Sequence, residues 1–497
     1  MTAQHLPILQ VIVPLLAAPL CLLSSNRQIA WLISLIAGWT AFVIAALLLS
    51  QALDGEIVSY ELGGWLADWG IEYRVDIVNA FVLLIVSGIG SVVLLYARRS
   101  VWQEIYHDRI PLFYAIFMLC LGGLLGVAIT GDAFNLFVFM EISSLASYAL
   151  IAFSQERRAL TSAYQYLIMG TIGATFILIG IGLLYMMTGT LNMQDIARRL
   201  PVISGNHTVV TAFAFLTVGI SIKLALVPLH LWLPNAYAYA PSVVTAFIAA
   251  TSTKIAFYVL LRFMYTLFGA SFAFQNMPLS IIFLALALAA MFAGSVAAIF
   301  QDNVKRLLAY SSVAQIGYMI LGISFASATG LTAAILHLFN HALMKGALFL
   351  ALGCVYYRFG SVNMEQMRGL GRSMPWTMAA FVIGGLSLIG VPLTVGFISK
   401  WYLVVAALEL GWWPIAAAIL LASLLAVVYI WRIVEAAYFQ APADSSNAVP
   451  REAPLSMLLP TWALIIANLY FGIDSSLTTT AAAQAAQCLL AMCMLPQ

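Results

Sequence analysis

The chain has 497 residues, 63% of them hydrophobic and only 8% charged, with a mean hydropathy of +1.01. A soluble domain would carry roughly 25% charged residues, and a β-barrel would alternate apolar and polar positions, so the continuous apolar runs exclude both. The net charge of +2, with no basic tract, leaves no footprint for nucleic acid; the chain reads as an all-α polytopic membrane protein.

Hydropathy places fourteen spans near 7–24, 28–52, 77–97, 111–130, 132–153, 162–188, 207–239, 241–268, 277–300, 304–326, 330–357, 374–409, 412–437 and 455–473. The first lacks a basic leader and a cleavage site, so it is expected to be retained. Between spans 2 and 3, the loop 53–76 holds Asp54, Glu56, Glu61, Asp68, Glu72 and Asp76, and its alternation around Ile57–Leu62 predicts a small hairpin without evident chemistry. The alanine-rich tail 477–495 reads either as a fifteenth span or as a surface helix. The expected organisation is an N-terminal unit (1–110), two five-span units (111–270 and 271–440) and a last span with its tail (441–497). Cys21, Cys120, Cys354, Cys488 and Cys493 lie in apolar segments without ligand spacing and read as small core residues.

Loops after odd-numbered spans carry thirteen Lys and Arg residues, Arg451 among them, against four (Arg74, Arg198, Arg199 and Arg262) after even-numbered spans. By the positive-inside rule the N-terminus lies outside and the odd loops lie in the cytoplasm of a cell inner membrane.

Of 21 Lys and Arg residues, the four left over are lysines inside apolar spans: Lys223, Lys254, Lys345 and Lys400. Each costs ~2.5–3.5 kcal/mol at the bilayer centre on insertion scales, so chance placement explains them poorly. A buried ammonium can also lose its proton, which a guanidinium does not. The fifth lysine, Lys305, sits with Asp302 and Arg306 at a span start, where capping and interfacial anchoring are expected.

Glu141, inside FNLFVFMEISSLASYAL, is the acidic counterpart; a purely structural ion pair is the competing reading, although an apolar pair would usually serve as well. Asp132 in TGDAFN reads as a helix N-cap. In ILHLFNHALMKGALFL, His337, His341 and Lys345 recur every four residues, forming a stripe about 12 Å long on one helix face. Three titratable groups in register favour a proton relay over isolated core histidines; a metal site on His337 and His341 lacks a third ligand at suitable spacing.

Helix breakers accompany two of the lysines. Pro228, Pro234 and Pro241 follow Lys223, and Gly390 and Pro392 precede Lys400. Breaks at membrane depth are tolerated against protein or a water-filled cavity; their spacing and opposite order suit inverted repeats over spans 4–8 and 9–13, with plain proline kinks as the alternative. His230 and Trp232 either line a pore or pack, and Ser311, Ser312 and Gln315 are candidates for binding channel water.

The segments KLALVPLHLWLPNAYAYAPSVVTAFIAATSTK, FNLFVFMEISSLASYAL, DNVKRLLAYSSVAQIGYM, HLFNHALMKGALFL and GLSLIGVPLTVGFISKW resemble, in order, the antiporter-like subunit family, over about residues 111–440. This family includes the D-type subunits of multisubunit Mrp-type monovalent cation/proton antiporters, the proton-pumping membrane subunits of complex I and related hydrogenase subunits; length is most similar to the D type. The resemblance implies fourteen helices in two inverted five-helix repeats, with helices 7 and 12 broken. It implies a Glu141–Lys223 pair, a central Lys254, connecting positions at His337, His341 and Lys345, and a terminal charge at Lys400. It further implies work inside a larger complex, with no cofactor of its own. One departure is Asn235, where the family's WLPDA phrase carries Asp.

The leading expectation is therefore a proton-translocating subunit of a Na⁺ or K⁺/proton antiporter, with membrane-subunit partners and lipid around it. The alternative is the same channel in a redox-driven complex. Without a Gly-rich nucleotide loop or cysteine cluster, quinone, flavin and iron–sulfur sites would then sit on partners. A structural subunit and a metabolite carrier fit the buried charges less well.

Overall fold

The computed structural model describes residues 3–24, 26–67, 69–441 and 452–491; Asp68, Arg451, Cys493 and the end of the tail lie outside the described residues. The helices in chain order are α1 (Leu6–Leu23), α2 (Arg27–Leu53), α3 (Ile77–Glu104), α4 (Ile110–Ile129), α5 (Ala133–Ala152), α6 (Arg157–Thr188), α7 (Met193–Ile203), α8 (His207–Leu224), α9 (Trp232–Tyr239), α10 (Ser242–Leu261), α11 (Leu279–Ile299), α12 (Val304–Ser324), α13 (Ala328–Phe359), α14 (Leu370–Ser373), α15 (Pro375–Ile389), α16 (Val395–Glu409), α17 (Trp413–Phe439), α18 (Leu455–Ile473) and α19 (Ser476–Leu490). Among the described residues, thirteen segments are long and apolar enough to cross a membrane unbroken, and the pair α15–α16 completes the expected fourteen spans. The tail helix α19, 15 residues long, is too short to span and packs on α13 and α3.

Burial sorts the helices. α10, α12 and α13 are buried nearly all round, whereas α1, α2, α6, α11 and α17 form an outer ring with one apolar face exposed. α13 is the axis of the molecule, in contact with α3, α10, α12, α15, α16, α18 and α19. A helix that is apolar on every side belongs in such a centre, so the polar residues it carries are held away from lipid.

The predicted hairpin is present: β1 (Val58–Glu61) pairs antiparallel with β2 (Glu72–Val75). Its role is larger than its sequence suggests. Glu72 is buried, with its carboxylate accepting from Ser59 Oγ (2.6 Å) and Asn192 Nδ2 (3.1 Å), while its carbonyl accepts from Gly131 N (2.8 Å). The hairpin thereby ties the first three helices to the loops before α5 and α7. The amphipathic α7 is absent from the hydropathy reading, because 11 polar-faced residues give no span signal. α6 also begins five residues earlier than expected, at Arg157.

A duplicated frame is visible in the backbone. Ala133 N donates to Leu191 O and Met193 N to Gly131 O; Val304 N donates to Val362 O and Met364 N to Asp302 O. Each atom of the second bridge lies 171 residues beyond its counterpart, as Val304 does from Ala133 and Val362 from Leu191. The same offset relates α6 to α13, whose ends are closed by left-handed Gly189 and Gly360. The first bridge lies beside Glu72, at the start of α3; the region of Lys305 and Ser242 adjoins the second and meets Glu104, at the other end of α3. At about 1.5 Å per residue, those ends are roughly 40 Å apart, so the two bridges face opposite membrane surfaces.

Candidate functional site

α8 stops where Ala225 turns into the left-handed region (φ 61°), and Pro228, after a cis bond, denies a backbone donor; α9 resumes at Trp232. The last turn of α8 presents Lys223, whose Nζ donates to Glu141 Oε1 (2.8 Å) and Ser144 Oγ (2.9 Å) of α5. Lys223 is buried, whereas the Glu141 side chain is 22% exposed on the flank of the molecule. Trp232 Nε1 donates to the carbonyl of Ile222 at 3.0 Å, beside the bond that carbonyl accepts from Ala225 N (3.1 Å), and its ring stacks on Tyr166 at 3.9 Å, which fixes the break.

A cavity of about 30 Å³ joins this pair to α10, lined by Ser144, Tyr166, Lys223, Ser252, Ile255 and Ala256. It has room for a water or two, and the hydroxyl of Ser252 has no protein partner among the described residues. Lys254 follows on α10, fully buried, with Nζ donating to Ala249 O (2.5 Å) and Thr253 Oγ1 (3.4 Å). No carboxylate pairs with it among the described residues. Its electrostatic neighbours are His337, His341 and Lys345 on α13.

The α13 stripe has the predicted register. The rings of His337 and His341 lie 6.0 Å apart, near parallel, and all three groups are fully buried. Lys345 Nζ leans to α12, donating to Leu308 O (2.8 Å) and Ser311 Oγ (2.5 Å). At the other end, His337 Nδ1 is 2.9 Å from Ser399 Oγ, next to Lys400. His337 Nε2 and both ring nitrogens of His341 have no protein partner among the described residues.

The second break matches the first in kind: Gly390 (φ 95°) closes α15, Pro392 follows, and α16 starts at Val395. The last carbonyls of α15 lack helical partners, and Lys400 Nζ takes two of them, Leu388 O (2.9 Å) and Ile389 O (2.8 Å). It also sits 4.9 Å over the Tyr318 ring, which lies 5.7 Å from His337.

All seven titratable candidates thus lie in the helix core, in the order Glu141–Lys223, Lys254, the α13 stripe (His341, His337, Lys345) and Lys400. Ser311 joins the stripe through Lys345, whereas Ser312 turns its hydroxyl back to Leu308 O. His230 is partly buried beside Tyr310, ring centroids 6.4 Å apart, in the break. Asn235 bonds Gln165 Oε1 through its amide (3.1 Å), so a neutral partner stands where the family phrase has an acid. No metal-ligand cluster occurs among the described residues.

Two placements need correction. Lys305 is not an interfacial anchor: it is 2% exposed, donating to Ser242 Oγ (3.0 Å) and Ala240 O (3.3 Å) beside Glu104. Arg262 is not a loop residue either; it is 3% exposed and paired with Asp76 at 2.6 Å. Ser144, Tyr318 and Ser399 escape a sequence reading because a hydroxyl in an apolar helix usually bonds its own backbone, as Ser143 does to Met140 O.

A family model described as "NADH:quinone oxidoreductase/Mrp antiporter, TM" matches residues 130–426, from the loop before α5 into α17. The N-type subunit of NADH-quinone oxidoreductase from Desulforudis audaxviator is 42% identical over 95% of this chain and 96% of its own. The D-type subunit of the Na⁺/H⁺ antiporter from Bacillus subtilis is 30% identical over 97% of each chain. A chain of the Mrp complex from a Dietzia species superposes with a TM-score of 0.89 at 27% identity, covering 99% of this chain and 98% of that one.

Proposed function

This chain belongs to the NADH:quinone oxidoreductase/Mrp antiporter family of proton-translocating membrane subunits, and on that premise we propose that its buried band moves protons for a Na⁺ or K⁺/proton antiporter. The observation that carries the reading is the chain of four lysines, two histidines and one glutamate at membrane depth, in which a single lysine is held by an acid and the rest by neutral oxygens.

In this mechanism the Glu141–Lys223 pair is the gate. While it is closed at 2.8 Å, Glu141 supports the charge on Lys223; when it opens, the support weakens and the proton passes through the small cavity to Lys254. From Lys254 it goes to the unengaged ring nitrogens of His341 and His337, with Lys345 as a side charge held by Ser311, and reaches Lys400 past Ser399. Bound water would bridge the gaps, meeting polar atoms that have no protein partner among the described residues. The arginine-poor hairpin face is the outer one on the positive-inside rule, which puts the N-terminus outside the cytoplasmic membrane.

A second reading, the pumping subunit of a redox-driven complex, is favoured by the 42% identity to an N-type subunit. It uses the same band and leaves redox centres to partners. Native purification with mass spectrometry separates the two. Small hydrophobic partners, followed by Na⁺- or K⁺-dependent proton flux in vesicles, support the antiporter; a flavin- or iron–sulfur-bearing partner transfers the band to the redox reading. A chain that purifies alone and stable refutes both.

A further inference from the structure

Lys254 has neighbours in two directions, and they differ in chemistry. Towards α13 lie imidazole nitrogens able to accept a proton. Towards the hairpin face, α10 carries Tyr258 and Arg262 four and eight residues on, about 6 and 12 Å along the same helix face. Arg262 stands where α10 passes into a π-helical turn (Arg262–Leu267); its Nε donates to Tyr258 Oη (2.9 Å), its Nη1 to Thr266 Oγ1 (3.5 Å) and its Nη2 to Asp76 Oδ1 (2.6 Å). Tyr258 in turn donates its hydroxyl proton to Ala128 O (2.8 Å). A hydroxyl whose proton is committed to a carbonyl and whose oxygen is committed to a guanidinium is badly placed to relay a proton. The guanidinium keeps its own charge throughout the working pH range.

Beyond Arg262 the protein opens. Asp76 caps α3 through Val78 N and Asn79 N, and its Oδ2 has no protein partner among the described residues. It lines a 290 Å³ pocket with Glu56, Gln484 and Gln487, between the end of α2, the hairpin and α19. The pair is therefore oriented, with the carboxylate on the pocket side and the guanidinium on the Lys254 side.

We propose that Arg262, held in place by Asp76, is an electrostatic seal across the hairpin-face end of α10, so that a proton on Lys254 is passed sideways to α13 and does not leak along α10. Arg262 is a positioning residue here: it repels the proton and never carries it. The inference rests on the proton path proposed above, but its readout, passive proton permeability, does not require the exchanged cation to be known.

The whole complex, reconstituted in liposomes with a trapped pH dye and only choline salts present, is given a pH step. Arg262→Gln is expected to raise proton leak about tenfold over wild type. Because Arg262→Gln leaves Asp76 unpaired and can impair assembly, the apolar pair Asp76→Leu with Arg262→Met is measured beside it and is expected to leak equally. Assembled complexes of either kind that are as tight as wild type overturn the seal. Wild-type vesicles tested separately with Na⁺ and K⁺ report on the antiporter reading itself: absent cation-dependent flux removes that reading, while unchanged leak in the variants removes only the seal.

Discussion

The sharpest test of the path is Glu141→Gln. The substitution keeps an oxygen for Lys223 Nζ to donate to, keeps the side chain's volume and removes the negative charge. At 2.8 Å the Coulomb attraction is about 6 kcal/mol for an effective dielectric constant of 20. Desolvation of both groups offsets much of that, and breaking a buried pair typically costs ~3–5 kcal/mol. Even the lower figure corresponds to a shift on the order of a hundredfold in how strongly the site supports an ammonium.

If the pair is the gate, proton flux in reconstituted vesicles falls at least tenfold in Glu141→Gln, while the yield of assembled complex stays near wild type because Ser144 Oγ still holds Lys223 at 2.9 Å. Lys223→Ala is expected to lose a comparable amount, and the double variant no more than either alone, since both remove the same interaction. Flux within twofold of wild type in Glu141→Gln, from a normally assembled complex, refutes the gate. Additive losses in the double variant would also refute it, because two independent steps would then have been damaged.

Three further outcomes follow from the same geometry. Lys254→Met replaces an ammonium that has no acidic partner among the described residues by an apolar group of similar length, so thermal stability should hold or rise while transport is lost; lost assembly alongside lost transport would favour a scaffold role. Ser399→Ala removes the 2.9 Å link to His337, a contact worth about 1 kcal/mol, and should slow flux several-fold with little change in melting temperature. Gly396→Ala places a methyl on the carbonyl oxygen of Ser387 across the α15–α16 break, and overpacking of about 1–3 kcal/mol should lower both melting temperature and flux by shifting α16 with Lys400.

What can be read from the sequence divides along physical lines. A charge in the middle of an apolar run has few explanations, so Glu141 and the four span lysines are legible, and strict four-residue spacing places His337, His341 and Lys345 on one face. Proline and glycine likewise mark both breaks, which the structure puts at 225–231 and 390–394. Arg262 misleads because a long cation near the end of a span ordinarily snorkels to the interface, and its partner, Asp76, lies 186 residues away in a polar loop. Lys305 misleads for the same reason; its burial depends on α3 delivering Glu104 to the start of α10, where Ser242 N donates to it at 2.7 Å. Such pairings are made by tertiary contacts and leave no local pattern.

The duplicated frame adds a last step, because the duplication stops at the backbone. At the 171-residue offset that relates the two bridges, Glu141 corresponds to Ser312, and His337, His341 and Lys345 correspond to Tyr166, Gly170 and Ala174. One unit therefore has an acid to hold its lysine and no relay; the other has the relay, with a lysine held by helix-end carbonyls. Two copies of one half would present equivalent sites and no preferred order between them. With the acid at one end of the band and the carbonyl-held Lys400 at the other, the stabilisation of a proton differs from site to site. An ordered transfer needs such a gradient, and on the proposed path opening or closing the 2.8 Å pair at Glu141 is the move that would tilt it.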